Sequence, residues 1–308
     1  MTNNKEFFNI LSLDGGGSLG VYTLGVLNEF EKFTGQNLAN YFDLIYGTST
    51  GSIIGALLGI EYTVEEIIKL YYEFIPTIMK NKTASARSNV LKSLATGLFG
   101  DHYFDSFKKC NIGIVATKYH HCQPMVFKNS IKQIYGLKET FKSGFGCKIS
   151  DAVLASASAY PFFNPVTVMT ENQGDQVLID GGYVANNPAL FALNDATNAL
   201  KIEFDKIRIF SVGVGNYPEK YNNILFRAIK GIWPIKLLQK TLKTNTNTTE
   251  LILDLMFPYI KKIRINESFS QREYATYFLD SDYQKLQLLQ NLGRESYRKN
   301  EHTINKLF

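Results

Sequence analysis

The chain has 308 residues, 45% of them hydrophobic and 20% charged, which excludes a disordered protein and suffices for a large buried core in one or two domains. Residues 1–200 carry 15 Lys and Arg against 17 Asp and Glu, and residues 201–308 carry 18 against 11, so the net charge of +5 arises in a basic C-terminal third. A basic face of that kind suits an anionic partner such as a lipid surface or a nucleotide, although a solvated face without a partner is the commoner cause.

The N-terminal Met1-Thr2-Asn3-Asn4-Lys5-Glu6 lacks the basic-then-apolar order of a secretory leader, and no run of about 18 apolar residues occurs. The expectation is a cytoplasmic protein that meets a membrane only from the side. Three cysteines, Cys110, Cys122 and Cys147, are odd in number and lack metal-ligand spacing, so they read as reduced packing residues.

In chain order, Phe8 to Leu13 is a strand of apolar and β-branched residues, and Asp14-Gly15-Gly16-Gly17-Ser18-Leu19-Gly20 is the loop before a helix over Leu19 to Phe33. Three successive glycines let backbone N–H groups come close to one developing negative charge. A methyl at Gly16 is therefore expected to harm turnover far more than stability. Phe42 to Tyr46 reads as the next strand, and Gly47-Thr48-Ser49-Thr50-Gly51 leads from it into a helix over Thr50 to Leu58. A G-x-S-x-G turn between strand and helix is a nucleophile elbow, whose small flanking residues permit a strained turn that presents the serine hydroxyl. Such a motif arises by chance roughly 0.1 times in a chain this long.

Ile112 to Ala116 reads as a strand, Asp151 to Ala159 as a helix, and Val177 to Ile179 as a strand running into Asp180-Gly181-Gly182. On turn preferences alone an Asp before two glycines is an ordinary turn; the Gly-rich loop and the Ser49 loop give it a catalytic reading. Pro188 to Leu200 follows as a helix and Ile207 to Val214 as a strand. Strand then helix, repeated, predicts an α/β layered sheet whose ligands sit beyond the carboxyl ends of the strands. The polar run from Thr244 to Thr249 reads as a surface loop. Residues 221–243 interleave lysines and an arginine with Ile, Leu, Phe and Trp233, as in a segment that reaches an anionic bilayer or an activator.

These motifs resemble the patatin-like phospholipase family. Further likeness lies in Ala155-Ser156-Ala157-Ser158-Ala159-Tyr160-Pro161, in Ala116-Thr117 and in Ser211-Val212-Gly213-Val214-Gly215, so that the resemblance spans about residues 7 to 215. It implies a three-layer α/β/α fold with a mainly parallel central sheet, in one domain of residues 1–308 whose residues 216–308 form a helical, basic C-terminal extension. The roles it carries over are Ser49 as nucleophile, Asp180 as the second half of a dyad, and Gly15, Gly16 and Gly17 as the oxyanion hole. The family's arginine in the Gly-rich loop is replaced by Leu19, which leaves backbone donors intact but puts any side-chain contribution to anion binding in doubt. Within the family the chain looks most like bacterial phospholipase effectors of anti-phage signalling, on the style of Ile10 to Gly17 and of Gly20-Val21-Tyr22-Thr23. That implies phospholipid at the inner face of the membrane as substrate, a cyclic-nucleotide activator, and no cofactor.

Independently of the family, a serine hydroxyl needs a base within hydrogen-bond reach. Among His102, His120, His121 and His302 only His302 follows Asp180, as a Ser-acid-His order requires, and it sits in a charged segment that reads as exposed helix. His120-His121-Cys122, read as strand, would point to opposite faces and could not share a metal, so no metal is expected. Tyr160, Phe162, Phe163 and Leu190 suggest an apolar acyl site. Two rival readings remain. Gly15-x-Gly17-x-x-Gly20 fits a dinucleotide-binding oxidoreductase, although Asp43 lies at the wrong end of its strand. A catalytically silent lipid or nucleotide sensor is the other, and the presence of both dyad residues argues against it.

Overall fold

Successive side chains of a strand point to opposite faces, so strands that are apolar throughout need a core on each side. The computed structural model, which describes residues 6–135, 140–219 and 233–308, shows that arrangement. Eight strands form one sheet: β1 (Phe8–Leu13), β2 (Leu44–Thr48), β3 (Asn111–Lys118), β4 (Gln123–Lys128), β5 (Val166–Thr170), β6 (Gly174–Asp180), β7 (Ile207–Val212) and β8 (Lys261–Ile265). Their order is β5-β6-β3-β2-β1-β7-β8, with β4 also paired to β3. The run β3-β2-β1-β7-β8 is parallel, and β4, β5 and β6 add antiparallel pairings. Leu11, Leu13 and Ile45 enter one core; Ile10, Leu44 and Tyr46 enter the other.

The principal helices are α1 (Gly20–Thr34), α2 (Thr50–Gly59), α3 (Val64–Met79), α4 (Ala84–Phe99), α5 (Ile149–Ser156), α6 (Ala189–Asn194), α7 (Trp233–Met256) and α8 (Tyr283–Leu307). The expected α/β/α layering is thus observed. The sequence pattern missed α3 and α4, although Thr63 and Glu66 form a capping box at the start of α3 and Thr83 caps α4. Strand β2 begins at Leu44 because Phe42 ends a short helix, Leu38–Tyr41, and stacks in an aromatic cluster with Phe30 and Phe210. Helix α6 gives way at Asp195 to a π-helical turn, Asp195–Ala199, where the Asp195 carboxylate accepts from Lys128 Nζ at 2.6 Å and from Tyr46 Oη at 2.5 Å.

Two expectations for the C-terminal third are corrected. Thr244 to Thr249 is not a surface loop but part of α7, with Thr246 and Thr249 buried. Its poor helix formers are held by side-chain bonds, Thr248 Oγ1 to Thr244 O and Asn245 Nδ2 to Val184 O, that a propensity reading cannot see. The third is also not helical alone, since β8 pairs in parallel with β7. Of the basic and apolar segment, residues 220–232 lie outside the described residues, and the remainder opens α7, with Leu238 buried and Leu237 and Lys240 exposed. Cys110 and Cys147 are buried as expected, whereas Cys122 is exposed in the β3–β4 turn, which His120 and His121 share. Among the described residues no helix is long and apolar enough to cross a membrane.

Helix α8 closes the fold against α1 through glycine. A Cβ on Gly25 would lie 2.1 Å from Gln290 O, and one on Gly293 the same distance from Tyr22 O, so the two backbones are in direct contact. Gly25→Val is expected to force the helices apart and to cost about 1–3 kcal/mol or more, read as a drop of several degrees in Tm. A Tm unchanged within a degree would show that this crossing is not tightly packed.

Candidate active site

The position of both proposed catalytic residues follows from one edge of β3. Residues Gly113 to Val115 pair with β2 on one side and β4 on the other, and residues Ala116 to Lys118 pair with β4 and β6. Strands β2 and β6 therefore share the same edge of β3 and meet end to end. Thr48 pairs with Val115 and Asp180 with Ala116, so Ser49 and Asp180 arrive at one point from opposite directions.

At that point the turn is tight. Ser49 has φ 54° and ψ −122°, a strained conformation for a residue with a side chain. A Cβ on Gly47 would meet Gly51 O at 2.3 Å, and one on Gly51 would meet Leu13 O at 2.3 Å, which is why this elbow carries glycine on both sides. Ser156 Oγ braces it, accepting from Ser49 N at 2.9 Å and donating to Val115 O at 2.6 Å. The Ser49 hydroxyl donates to Asp180 Oδ2 at 2.6 Å, and Gly182 N donates to Asp180 Oδ1 at 2.7 Å. Asp180 is 3% exposed, and burial raises its pKa to about 6, against the two hydrogen bonds that favour the anion. All four histidines are exposed, and His102 meets Ser106 instead.

The Gly-rich loop lies over the serine. A Cβ on Gly15 would come within 3.1 Å of Ser49 Cβ. Gly15 N is committed to Asn186 O at 3.0 Å, which leaves Gly16 and Gly17 as the loop's candidate oxyanion donors. Asn186 in turn donates through Nδ2 to Gly15 O and to Thr246 Oγ1 of α7. Ahead of the loop, buried Asp14 receives Arg264 of β8 through both terminal nitrogens, at 2.9 and 2.6 Å. Burial lifts the Asp14 pKa to about 6 despite that guanidinium. Leu19, in the place of the family arginine, is buried in the core. Gly20 packs on Thr50, and the Asp43 carboxylate accepts from Asn9 N at the start of β2. The glycine pattern thus serves the serine elbow, and no acid stands at the end of β2 to receive a ribose.

The family profile described as "Patatin-like phospholipase" matches residues 11–193. The chain belongs to that family. It is 46% identical over 299 residues, 97% of its length and 93% of the relative's, to a cUMP-AMP-activated phospholipase of Escherichia coli. It is 27% identical over 248 residues to a cGAMP-activated phospholipase of Vibrio cholerae, covering 71% of this chain and 66% of that one. Among solved structures, VipD of Legionella pneumophila aligns over 96% of this chain and 66% of its own, with 10% identity and a TM-score of 0.49.

In this patatin-like phospholipase the serine opens onto an apolar chamber that Ile53, Phe74, Leu91, Phe163 and Leu279 help to line, together with Tyr71, whose hydroxyl is bonded to Thr50. Its walls come mainly from α3 and α4, the helices that strand-and-turn signals did not reveal. Of the four residues expected to form an acyl site only Phe163 lines this chamber. Tyr160 is exposed, Phe162 packs on Phe278, and Leu190 lies in the other core. Sequence reasoning quoted Ser156 only within the Ala155 to Pro161 motif and gave it no role, and it missed Asn186 and Arg264; all three act through folded contacts, and Asn186-Asn187 after the D-G-G turn was the visible signal for Asn186.

The expectation for Gly16 needs correcting too. A Cβ there would lie 2.6 Å from Val214 Cγ2, so Gly16→Ala is expected to lower stability as well as turnover. Its φ of 172° is open to any residue, so the clash is with Val214 alone. Gly16→Ala combined with Val214→Ala is expected to recover most of the lost Tm and, because the backbone donors return to place with it, most of the lost turnover. Turnover that stays down after Tm has recovered would show that Val214 is not what displaces the loop.

Proposed function

We propose that the protein hydrolyses fatty-acyl esters of membrane phospholipids with Ser49 as nucleophile and Asp180 as base, and that a cyclic nucleotide switches it on. The observation that carries the chemistry is the 2.6 Å hydrogen bond from Ser49 Oγ to Asp180 Oδ2 at the mouth of an apolar chamber. As Ser49 Oγ attacks the ester carbonyl, its proton passes to Asp180 and the carbonyl oxygen becomes an oxyanion facing the Gly16 and Gly17 amides. Asp180 then returns the proton to the departing alcohol, leaving a fatty acyl group on Ser49. Water, deprotonated by Asp180, attacks that ester; collapse frees the fatty acid and restores the serine.

Asp180 suits both halves, because a carboxylate raised to about 6 is a stronger base than an exposed one yet is ionised at neutral pH. The chamber supports an acyl chain as the group held. Activation rests on the relatives, which are named for cUMP-AMP and cGAMP. It accords with a role in anti-phage signalling and with a protein that works at the inner membrane face by peripheral contact.

The test is incubation of purified protein with a phospholipid panel, with and without cyclic dinucleotides, and identification of the released fatty acids by mass spectrometry. Ser49→Ala and Asp180→Asn are each expected to lower turnover by roughly 1000-fold or more with the fold retained. Alanine at any of the four histidines is expected to leave it within a few-fold. Near-normal turnover in either dyad variant rejects the dyad, and loss in His302→Ala points to a triad.

The pH profile gives a second check. Asp180 works as the anion, so kcat/KM is expected to rise with pH through about 6 and then level off, as the raised pKa requires. A profile already flat between pH 4 and 5 would mean that a different group sets the base.

A further inference from the structure

A second cleft shares Gly16, Leu242 and Phe278 with the acyl chamber but reaches neither Ser49 nor Asp180. One wall is a single face of α7, where Lys236, Gln239, Lys240 and Lys243 recur at three- and four-residue spacing. The facing wall is built beyond the carboxyl ends of three neighbouring strands: Gly15 after β1, Tyr217 after β7 and Asn266 after β8. In open α/β sheets that is where ligands bind.

The cleft's charges are unequal. Asp14 is paired with Arg264, and Glu219 with Lys236 at 2.7 Å. Lys240 and Lys243 have no ion-pair partner among the described residues. A buried polar atom on a residue of its wall, Tyr217 Oη, also lacks a hydrogen-bond partner there. A buried polar atom is rarely left so, and a ligand that supplies an acceptor would satisfy it.

From this we infer that the cleft is a phosphodiester site and that its occupant is the cyclic dinucleotide of the proposed activation. The two lysines take the phosphate oxygens, and Tyr217 Oη donates to one of them. A lipid headgroup offers a phosphodiester too; the relatives named for cUMP-AMP and cGAMP favour the dinucleotide, and the test separates the two sources. The site also explains how a signal reaches the chemistry. Asn245 and Thr246 of α7 hold Asn186, which holds Gly15, so a ligand bridging the lysine face and the Gly-rich loop fixes that loop relative to Ser49. It thereby favours the arrangement in which the Gly16 and Gly17 amides face the oxyanion. This inference rests on the activation proposed above, and its test separates the two.

Binding of cUMP-AMP to the full chain is measured by calorimetry, and release of fatty acid from phosphatidylglycerol vesicles is measured against activator concentration. Lys240→Ala with Lys243→Ala is expected to weaken binding about tenfold per lysine, as loss of a charge-assisted hydrogen bond does, and to shift half-activation equally. Tyr217→Phe is expected to weaken both by a few-fold, and a thermal melt of each variant reports folding. Lys299→Ala, on the far part of α8, is expected to change neither. Unchanged affinity and half-activation in the lysine and Tyr217 variants overturn the inference while leaving the activation intact. Unchanged affinity with a raised KM for phosphatidylglycerol, but not for a neutral short-chain ester, gives the cleft to the headgroup and overturns the activator assignment. A parent protein that hydrolyses lipid yet neither binds nor answers any cyclic dinucleotide overturns the activation, and the inference with it, without touching the dyad.

Discussion

The meeting of Ser49 and Asp180, the proposed dyad, depends on two strands sharing one edge of a third. An edge of β3 offers N–H and C=O groups along its whole length, and β2 uses only the first part of it. Strand β6 uses the rest from the opposite direction. Because the two occupants run toward each other, their ends abut, and the residue after β2 faces the residue that ends β6. The sheet's hydrogen bonds thus set the Ser49–Asp180 separation, with Thr117 Oγ1 to Asp180 O and Ser156 Oγ to Val115 O as local braces. The proposed dyad, held by backbone ladders, needs no long side chain to bring its members together, and loses little rotamer entropy in doing so.

The same geometry suits Asp180 to the role of base proposed for it, where a histidine is more usual. Asp180 is short, fixed by the strand, and enclosed, so desolvation is the largest influence on it and raises its pKa. Hydrogen bonds from Ser49 and Gly182 hold it back from a larger rise, leaving it ionised at neutral pH. Burial of that anion costs folding energy above its ordinary pKa, and the compact ladder around it supplies the compensation.

The basic C-terminal third is an integral part of this site. Strand β8 brings Arg264 under the Gly-rich loop, where it neutralises Asp14, and its Nε meets Glu250 of α7 at 2.6 Å. Removing one partner from such a buried group would leave a charge uncompensated, typically a cost of about 3–5 kcal/mol. Helix α7 holds Asn186 through Asn245 and Thr246, and through it the loop. The excess of lysine noted in the sequence therefore divides. Part of it neutralises acids within the structure, and part faces a cleft beside the catalytic loop.

By itself the sequence determined the strand-helix alternation, the two glycine-bearing loops, and the residue types that could attack an ester. Those features are local: apolar periodicity follows from burial on a strand or helix face, and the glycines of Gly47-Thr48-Ser49-Thr50-Gly51 are dictated by contacts within a few residues. Asp180 was legible only as an ordinary turn residue until the other motifs lent it meaning. What joins it to Ser49 is a register between strands 131 positions apart. The tertiary structure alone decided that Gly15 gives its amide to Asn186, that Thr244 to Thr249 is helix, that α3 and α4 wall the chamber, and that Arg264 serves Asp14. Apart from the Thr248 to Thr244 bond within α7, each rests on a long-range hydrogen bond, ion pair or packing contact, and such contacts leave no period in the chain, because their partners are set by the whole fold rather than by neighbours in sequence.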